Sequence, residues 1–211
     1  MAKLLACALN ANGGPRTDFD PADPACRAIL AGTSLDVVEM DAASNNRVDD
    51  MRELLPRVYT AAADVRRKVF IVDEVQRIKE GWDVLLKTLE EPPPDVVFIF
   101  CTTNPAQIRP AVVSRLQRFT FRPLSVEEIS GKLQRILDED GRRAEPDAVR
   151  LVAEMAAGGM RDAESMLDQL LGGAGEVLTA DSVRELLGLA DEGAVETFIA
   201  ALAGSDPAAG I

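Results

Sequence analysis

Short apolar runs alternate with amphipathic segments over the first 123 residues. Four runs are nearly continuous or follow the two-residue period of a strand, and they predict strands at 36–40, 68–72, 96–101 and 117–122. Helical spacing predicts helices at 1–11, 26–31 and 48–62, and one more that ends before the prolines at 92–94. Pro56 is expected to bend or interrupt its helix. Strands alternating with helices predict an α/β fold around a parallel sheet.

The strand period disappears after Pro123. Helical spacing there predicts helices at 125–140, 146–157, 161–171 and 180–188. Ser125 followed by Glu128 is typical of a capping box at the start of the first of them. We therefore expect an α/β domain over 1–123, a small all-α domain over 124–189, and the start of a third domain over 190–211.

Composition limits the kinds of protein that fit. The 211 residues are 47% apolar and 27% charged, which is typical of a globular protein. The formal net charge is −12, and phosphate neutralisation needs surplus Lys and Arg, so the chain is not expected to bind nucleic acid alone. No run of about 18 apolar residues predicts a membrane span. Three widely spaced cysteines without a signal peptide favour a reduced, cytoplasmic protein.

Asp73 and Glu74 follow the apolar run at 68–72 directly. Ligands of open α/β sheets bind outside the carboxyl ends of the strands. A first acid that holds Mg²⁺ and a second that orients or deprotonates a water molecule would suit a nucleotide site. The alternative is that both acids cap the next helix, since acids are favoured at helix N-termini. Taken alone, this pair of residues leaves the two interpretations equally open.

Thr102 and Thr103 follow the next predicted strand, and Arg115 precedes the one after it. The hydroxyl groups are suited to bonding a phosphate or a water molecule, or they belong to an ordinary turn. An arginine at such a position can act in trans on the γ-phosphate of a neighbouring subunit. A lone arginine is more often a solvated surface residue.

Arg161 opens a predicted helix after Gly158 and Gly159. A cation in the first turn of a helix is unfavourable with respect to the helix dipole. Either Asp162 offsets this charge, or Arg161 points at a phosphate.

Six segments in this order resemble the gamma/tau subunit family of bacterial DNA polymerase III: DVVEMDAASNN, KVFIVDEVQ, LLKTLEEPP, CTTNP, SRLQRF and GGMRDAESMLDQLL. The resemblance extends from Leu4 to about Leu189, and LLKTLEEPP and MRDAES are its most specific parts. It implies an AAA+ P-loop NTPase-type parallel sheet followed by a helical lid. Such subunits work in a ring-shaped clamp loader that uses ATP to open the sliding clamp.

The resemblance also implies roles for individual residues. These are Walker B for Asp73 and Glu74, sensor 1 for Thr102 or Thr103, arginine finger for Arg115, and sensor 2 for Arg161. The implied cofactors are ATP and Mg²⁺, with Asp73 as the acid that holds the metal through a water molecule. The implied partners are the delta and delta-prime subunits, the sliding clamp and primer-template DNA. A non-hydrolysing, delta-prime-like subunit is the alternative, but the retained acids and Arg161 favour an ATPase.

The phosphate loop G-x-x-x-x-G-K-[ST] does not occur in the sequence. In the family this loop and the first strand come just before the helix that resembles 1–11, and we expect the chain to begin after them. The lost strand would lie between those resembling 96–101 and 117–122. Each backbone group left unsatisfied costs about 1–3 kcal/mol, so we expect the chain alone to fold poorly or to aggregate through the open edge.

The chain differs from the family in two more features, the cysteines of a zinc module and the residues after the second acid. The family usually carries a four-cysteine zinc module in the region resembling 11–26, where Ala11 replaces the first ligand and only Cys26 matches the last. Tetrahedral zinc needs four ligands, so we expect no zinc and regard Cys26 as a lone remnant. The segment Val75-Gln76-Arg77-Ile78 also differs from the commonest family wording.

Overall fold

A three-stranded parallel sheet lies in the first part of the chain. The computed structural model, which describes residues 1–45, 48–173 and 176–188, contains β1 (Val37–Asp41), β2 (Lys68–Asp73) and β3 (Val96–Phe100) in the spatial order β1-β2-β3. Asp41 is in register with Asp73, so these two strands end at the same edge of the sheet. β2 is the central strand and is buried except at its last residue, which explains its continuous apolar run. Three of the four predicted strands are confirmed.

Among the described residues of this part, five α-helices accompany the sheet: α1 (Ala2–Asn10), α2 (Pro24–Ala31), α3 (Val48–Tyr59), α4 (Trp82–Glu90) and α5 (Pro110–Val113). The first four confirm the predicted helices, and α4 ends before the three prolines as expected. Pro56 lies inside α3, which continues past it to Tyr59, so it does not interrupt the helix.

The side chains of β2 alternate between two apolar layers. Phe70 and Val72 belong to a core with residues of α3 and α4, and Phe70 stacks on Phe98 of β3 with ring centroids 5.4 Å apart. Val69 and Ile71 belong to a second core with residues of α1 and α2. Helices therefore cover both faces of the sheet, as its apolar central strand requires.

A buried ion pair lies at the amino end of β2. The Nζ atom of Lys68 is 3.9 Å from Asp36 Oδ1 and donates hydrogen bonds to the Arg57 carbonyl at 2.8 Å and to Thr60 Oγ1 at 2.5 Å. The other carboxylate oxygen of Asp36 accepts the backbone N–H groups of residues 63 and 64, each at 2.8 Å. Because both charges have hydrogen-bond partners, this end of the strand tolerates burial of the pair.

The prediction of a strand at 117–122 is wrong, since the segment is irregular in the structure. Phe119 and Phe121, whose two-residue spacing would place them on one face of a strand, are 68% and 69% exposed. The physical reason is the lack of a hydrogen-bonded partner for this segment. The sheet consists of β1, β2 and β3 among the described residues, and none of these strands pairs with 117–122. Two-residue alternation makes a segment suitable for a strand but does not supply the backbone partner that a strand needs.

The second unit consists of helices with one very short ladder. It contains α6 (Val126–Glu139), α7 (Pro146–Met155), α8 (Met160–Gly173) and α9 (Ala180–Leu187), and a two-residue parallel pair, β4 (Arg143–Ala144) with β5 (Val177–Leu178). The four predicted helices are confirmed, whereas the ladder was not predicted. The capping box is confirmed as well: Glu128 N–H donates to Ser125 Oγ at 3.2 Å, and Ser125 N–H donates to Glu128 Oε2 at 2.8 Å.

The chain divides into two compact units, residues 1–119 and the part from Thr120 onward. The domain boundaries at 123/124 and 189/190 stay predictions, and the third domain expected over 190–211 lies outside the described residues. Within the part of the chain that the structure describes, none of the helices has the length and apolar character needed to cross a membrane.

Candidate functional site

Asp73 is the last residue of β2 and its side chain is exposed at the carboxyl edge of the sheet. Its Oδ1 atom accepts the backbone N–H of Glu74 at 2.9 Å. The second carboxylate oxygen has no hydrogen-bond partner among the described residues. Asp73 therefore presents a free oxygen ligand where nucleotides bind in open α/β sheets.

Glu74 lies in a strained backbone conformation. Its φ angle is 50°, in the left-handed region, which costs a non-glycine residue about 1–2 kcal/mol. It precedes the 3₁₀ turn Val75–Arg77, yet its side chain makes no capping hydrogen bond. The helix-capping interpretation is thus not met at Glu74, and backbone strain at a half-buried acid is a reason to look for a function.

Gln76 connects the acids to the threonines. Its Nε2 atom donates to Glu74 Oε2 at 2.6 Å and to Thr103 Oγ1 at 3.2 Å. Its Oε1 atom accepts the hydroxyl of Thr102 at 2.5 Å. The four side chains form one hydrogen-bonded group, which we call the acid–threonine network: Glu74, Gln76, Thr102 and Thr103.

The backbone brings the ends of β2 and β3 together independently of these side chains. Cys101 N–H donates to the Val72 carbonyl at 2.9 Å, and Val75 N–H donates to the Cys101 carbonyl at 3.0 Å. Thr102, which follows, is half-buried and accepts the backbone N–H of Asn104 at 3.0 Å. The two predicted groups of site residues therefore meet at one edge of the sheet.

Sequence reasoning missed the role of Gln76 in this network. A glutamine between Val75 and Arg77 looks like an ordinary polar surface residue. Two signals were available: it follows the second acid by two positions, and its segment departs from the commonest family wording. Neither signal states that the side chain reaches the threonines after the next strand, because that contact depends on the register of β2 and β3.

The donor set fits Mg²⁺ bound together with a nucleotide better than a metal held by protein alone. Mg²⁺ commonly uses one or two carboxylates and takes its other ligands from water and phosphate. Asp73 offers one such carboxylate. Among the residues that the structure describes, no group of three or more His, Cys, Asp and Glu side chains could hold a metal ion.

Arg115 follows α5 and lies apart from the acid–threonine network. Its Nη2 atom forms an ion pair with Glu90, the last residue of α4, and its Nη1 atom donates to the Ala111 carbonyl. None of its hydrogen bonds with described residues reaches Asp73 or Glu74. The structure thus does not bring Arg115 to the acids of its own chain.

Arg161 lies in the first turn of α8 in the second unit, and its side chain is exposed. It forms no side-chain hydrogen bond or ion pair with another described residue, so the offset by Asp162 is not a direct contact. Gly158 in the preceding turn has a φ angle of 89°, and a Cβ atom there would lie 2.5 Å from the Cβ atom of Pro123. Only glycine fits that approach, which fixes the turn leading into Arg161.

Cys7 and Cys26 pack against each other in the apolar layer between α1 and α2. The sulfur of Cys7 is 3.8 Å from the Cys26 carbonyl oxygen, and the sulfur of Cys26 is 4.0 Å from the Cys7 carbonyl oxygen. Burial, assisted by the charge of the neighbouring thiol, raises the pKa of Cys7 to about 11, and burial also raises the pKa of Cys26. Both thiols therefore stay protonated at neutral pH, whereas metal binding needs thiolates.

Two protein-family models match the chain. Residues 1–125 match a family described as "DNA polymerase III, delta subunit". Residues 128–175 match one described as "DNA polymerase III clamp loader subunit, ATPase lid domain". The two matches fall on the sheet-containing part and on the helical part, respectively.

The chain is similar in sequence to tau and gamma/tau subunits of DNA polymerase III from several bacteria. The chain is 39% identical over 188 residues to DNA polymerase III subunit tau of Bacillus subtilis, covering 89% of this chain and 33% of that protein. It is 36% identical over 203 residues to subunit tau of Escherichia coli, covering 96% and 32%. It is 38% identical over 212 residues to subunit gamma/tau of Mycobacterium tuberculosis, covering 99% and 37%. The chain thus spans about a third of the length of these relatives.

Solved structures support the fold. The RuvB Holliday junction branch migration motor of Thermotoga maritima superposes with a TM-score of 0.59 at 18% identity, covering 84% of this chain and 62% of that one. A likeness at this level of identity concerns the fold alone.

Proposed function

Because the chain belongs to the gamma/tau clamp-loader subunit family of DNA polymerase III and has the AAA+ fold, we propose that the complete protein is an ATPase subunit of the clamp loader. In this role it uses ATP binding and hydrolysis to load the sliding clamp onto primed DNA. The observation that carries the proposal is the acid–threonine network, in which Glu74, Thr102 and Thr103 are joined at the carboxyl edge of the sheet beside Asp73.

In the proposed reaction water attacks the γ-phosphate of ATP, and ADP and inorganic phosphate leave. Mg²⁺, when bound with ATP, neutralises phosphate charge, and Asp73 is the residue that would hold it. Glu74 orients the attacking water and accepts its proton. The free carboxylate oxygen of Asp73 and the uncapped, strained position of Glu74 support these roles.

The threonines supply hydroxyl groups toward the phosphate or the water. Arg161 is proposed as sensor 2, and its support is an exposed guanidinium that has no protein partner among the described residues. Arg115 is proposed as the finger that acts on the ATP of a neighbouring subunit. Its support is that its own chain binds it to Glu90 and not to Asp73 or Glu74.

The proposed partners are the delta and delta-prime subunits, the sliding clamp and primer-template DNA, and the proposed location is the cytoplasm. A formal net charge of −12 argues that this part of the protein contacts DNA only together with other subunits.

The proposal is tested by Glu74→Gln in the full-length protein assembled with its partner subunits. This substitution keeps the size of the side chain and removes the proton acceptor. We expect ATP hydrolysis to fall roughly 100- to 10,000-fold while ATP affinity is retained. Hydrolysis at the wild-type rate would show that Glu74 is not the base and would contradict the proposal.

The in-trans role is tested separately by Arg115→Ala. An arginine finger contributes on the order of 1,000-fold or more to turnover, so we expect a loss of that size in the assembled oligomer. The isolated subunit should keep its own low rate, because it has no neighbour to stimulate. An equal loss in the isolated subunit would contradict action in trans.

A structural, non-hydrolysing role is the second candidate, and the family model over residues 1–125, described as a delta subunit, favours it. This candidate predicts a complete protein that assembles into the loader but hydrolyses no ATP of its own. Glu74→Gln would then leave the ATPase rate of the whole complex unchanged.

A further inference from the structure

Gln76 lies in the turn between the proposed base and the following helix, and its side-chain amide makes three of the contacts at the site. We propose that Gln76 is a positioning residue, which holds Glu74 and sets the hydroxyl of Thr103, rather than that of Thr102, to donate to the nucleotide. This inference rests on the proposed ATPase function and adds a residue to it.

The charge of Glu74 determines the direction of every hydrogen bond in the network. An ionised carboxylate only accepts, so the Gln76 amide must turn its Nε2 group toward Glu74 Oε2. Its carbonyl oxygen then faces Thr102, which has to donate to it. This orientation of the amide follows from the network and does not depend on distinguishing nitrogen from oxygen by position.

The two threonines consequently have different capacities. The only proton of the Thr102 hydroxyl is used on Gln76, and a lone pair of its oxygen accepts from Asn104 N–H at 3.0 Å. Thr103 Oγ1 accepts from Gln76 at 3.2 Å, which leaves its proton available. A phosphate oxygen only accepts, so Thr103 is the hydroxyl that can donate to it.

The amide also fixes the proposed base. It binds one oxygen of Glu74, Oε2, and the Arg77 guanidinium lies 3.9 Å from that same oxygen. The other oxygen has no partner among the described residues and remains as the acceptor for a water proton. A base held in one orientation loses less rotational freedom when the reaction proceeds.

A purely structural function for Gln76 is less suited to the geometry. The ends of β2 and β3 are already joined by two backbone hydrogen bonds through Cys101, at 2.9 and 3.0 Å. Gln76 is only half-buried, so its removal leaves no large cavity. Its contacts instead concentrate on side chains at the site.

The test uses the full-length protein in its assembled complex, with kcat for ATP hydrolysis and ATP affinity measured separately. Gln76→Met keeps the length of the side chain and removes every hydrogen bond, whereas Gln76→Glu keeps an acceptor for Thr102 but places a second carboxylate beside Glu74. For both variants we expect kcat to fall roughly 10- to 100-fold, the size of loss seen when a residue that orients a metal ligand by a hydrogen bond is removed. ATP affinity and the midpoint of thermal unfolding should stay at wild-type values.

Gln169→Glu, the same charge change on the exposed side of α8, is the matched control and should hydrolyse ATP normally.

A double-mutant cycle supplies the readout that a merely structural role would not give. If Thr102 acts by orienting the Gln76 amide, then Thr102→Val combined with Gln76→Met should slow turnover no more than the slower single variant. Thr103→Val should instead raise the ATP concentration needed for half-maximal hydrolysis, even in the Gln76→Met background. Multiplicative losses for Thr102 and Gln76 would overturn the proposed coupling.

Different results would contradict the positioning role of Gln76 and the proposed ATPase function. If Glu74→Gln abolishes hydrolysis and Gln76→Met retains the wild-type kcat, only the role of Gln76 is wrong. If Glu74→Gln itself hydrolyses ATP normally, the proposed function is wrong and the positioning role falls with it.

Discussion

The two ends of β2 use charged residues in opposite ways. At the amino end, Lys68 and Asp36 are buried and their polar groups have protein partners. At the carboxyl end, Asp73 is exposed and one of its carboxylate oxygens has no hydrogen-bond partner among the described residues, and Glu74 is held in a strained conformation. The charged groups at the amino end are therefore satisfied within the protein, whereas the acids at the carboxyl end keep oxygen atoms that could bind a ligand.

Removing the cation from the buried end should have the largest effect on stability. Lys68→Met leaves the Asp36 carboxylate buried without its counter-charge, and breaking a buried pair costs about 3–5 kcal/mol. Urea denaturation of the full-length protein should show this loss in the free energy of unfolding. Lys87→Met, at an exposed position of α4, is the matched control and should change stability by no more than about 0.5 kcal/mol.

Relaxing the strained end should give a smaller effect of the opposite sign. Glu74→Gly removes the cost of a positive φ angle, about 1–2 kcal/mol, but adds the backbone entropy that glycine loses on folding, about 0.5–1 kcal/mol. We expect the free energy of unfolding to stay equal or to rise by up to about 1.5 kcal/mol, while ATP hydrolysis is lost. A marked fall in stability by the same urea titration would mean that the Glu74 side chain supports the fold after all.

Neutralising the exposed acid should hardly change stability. Asp73→Asn retains an oxygen that can accept the Glu74 N–H, so we expect a change within about 0.5 kcal/mol. The Mg²⁺ concentration needed for half-maximal hydrolysis should increase, which a magnesium titration of ATPase activity measures. An unchanged magnesium requirement would remove Asp73 from the metal site.

An exposed ion pair in the second unit should contribute least and should depend on pH. The Arg122 guanidinium, together with the Ser125 backbone N–H, lowers the pKa of Glu128 to about 2 from its ordinary value of 4.5. Its stabilisation is therefore fully present above pH 4.5 and is lost as the pH falls toward 2. Denaturation of wild type and Glu128→Gln at a series of pH values should show a small difference that disappears on acidification and shrinks with added salt. A difference that is constant with pH would exclude the ionised carboxylate as its source.

The sequence predicted the central part of this fold because burial leaves a strong local pattern. The run at 68–72 is apolar at every position that β2 buries on two faces, and the acids after it mark the point where the strand reaches solvent. The segment at 117–122 shows the limit of such patterns, since its alternation is compatible with a strand but none of the described strands pairs with it. Local periodicity describes the faces of an element and does not describe its pairing.

The site was predictable to a similar extent. Asp73, Glu74 and the threonines could be assigned to one edge because parallel strands end together. The contact of Gln76 with Thr102 and the contact of Arg115 with Glu90 link residues that are 26 and 25 positions apart. Such side-chain pairings depend on register and rotamer, for which a single sequence holds no pattern.

The carboxyl end of β2 holds the acids proposed for ATP hydrolysis, and the amino end holds a buried ion pair whose disruption destabilises the fold. The most direct test measures ATP turnover per folded molecule for Glu74→Gln and Lys68→Met in the full-length, assembled protein. We predict that Glu74→Gln is fully folded and turns over at most about a hundredth as fast as wild type, whereas Lys68→Met is destabilised but turns over at the wild-type rate per folded molecule. Wild-type turnover by folded Glu74→Gln would contradict the account.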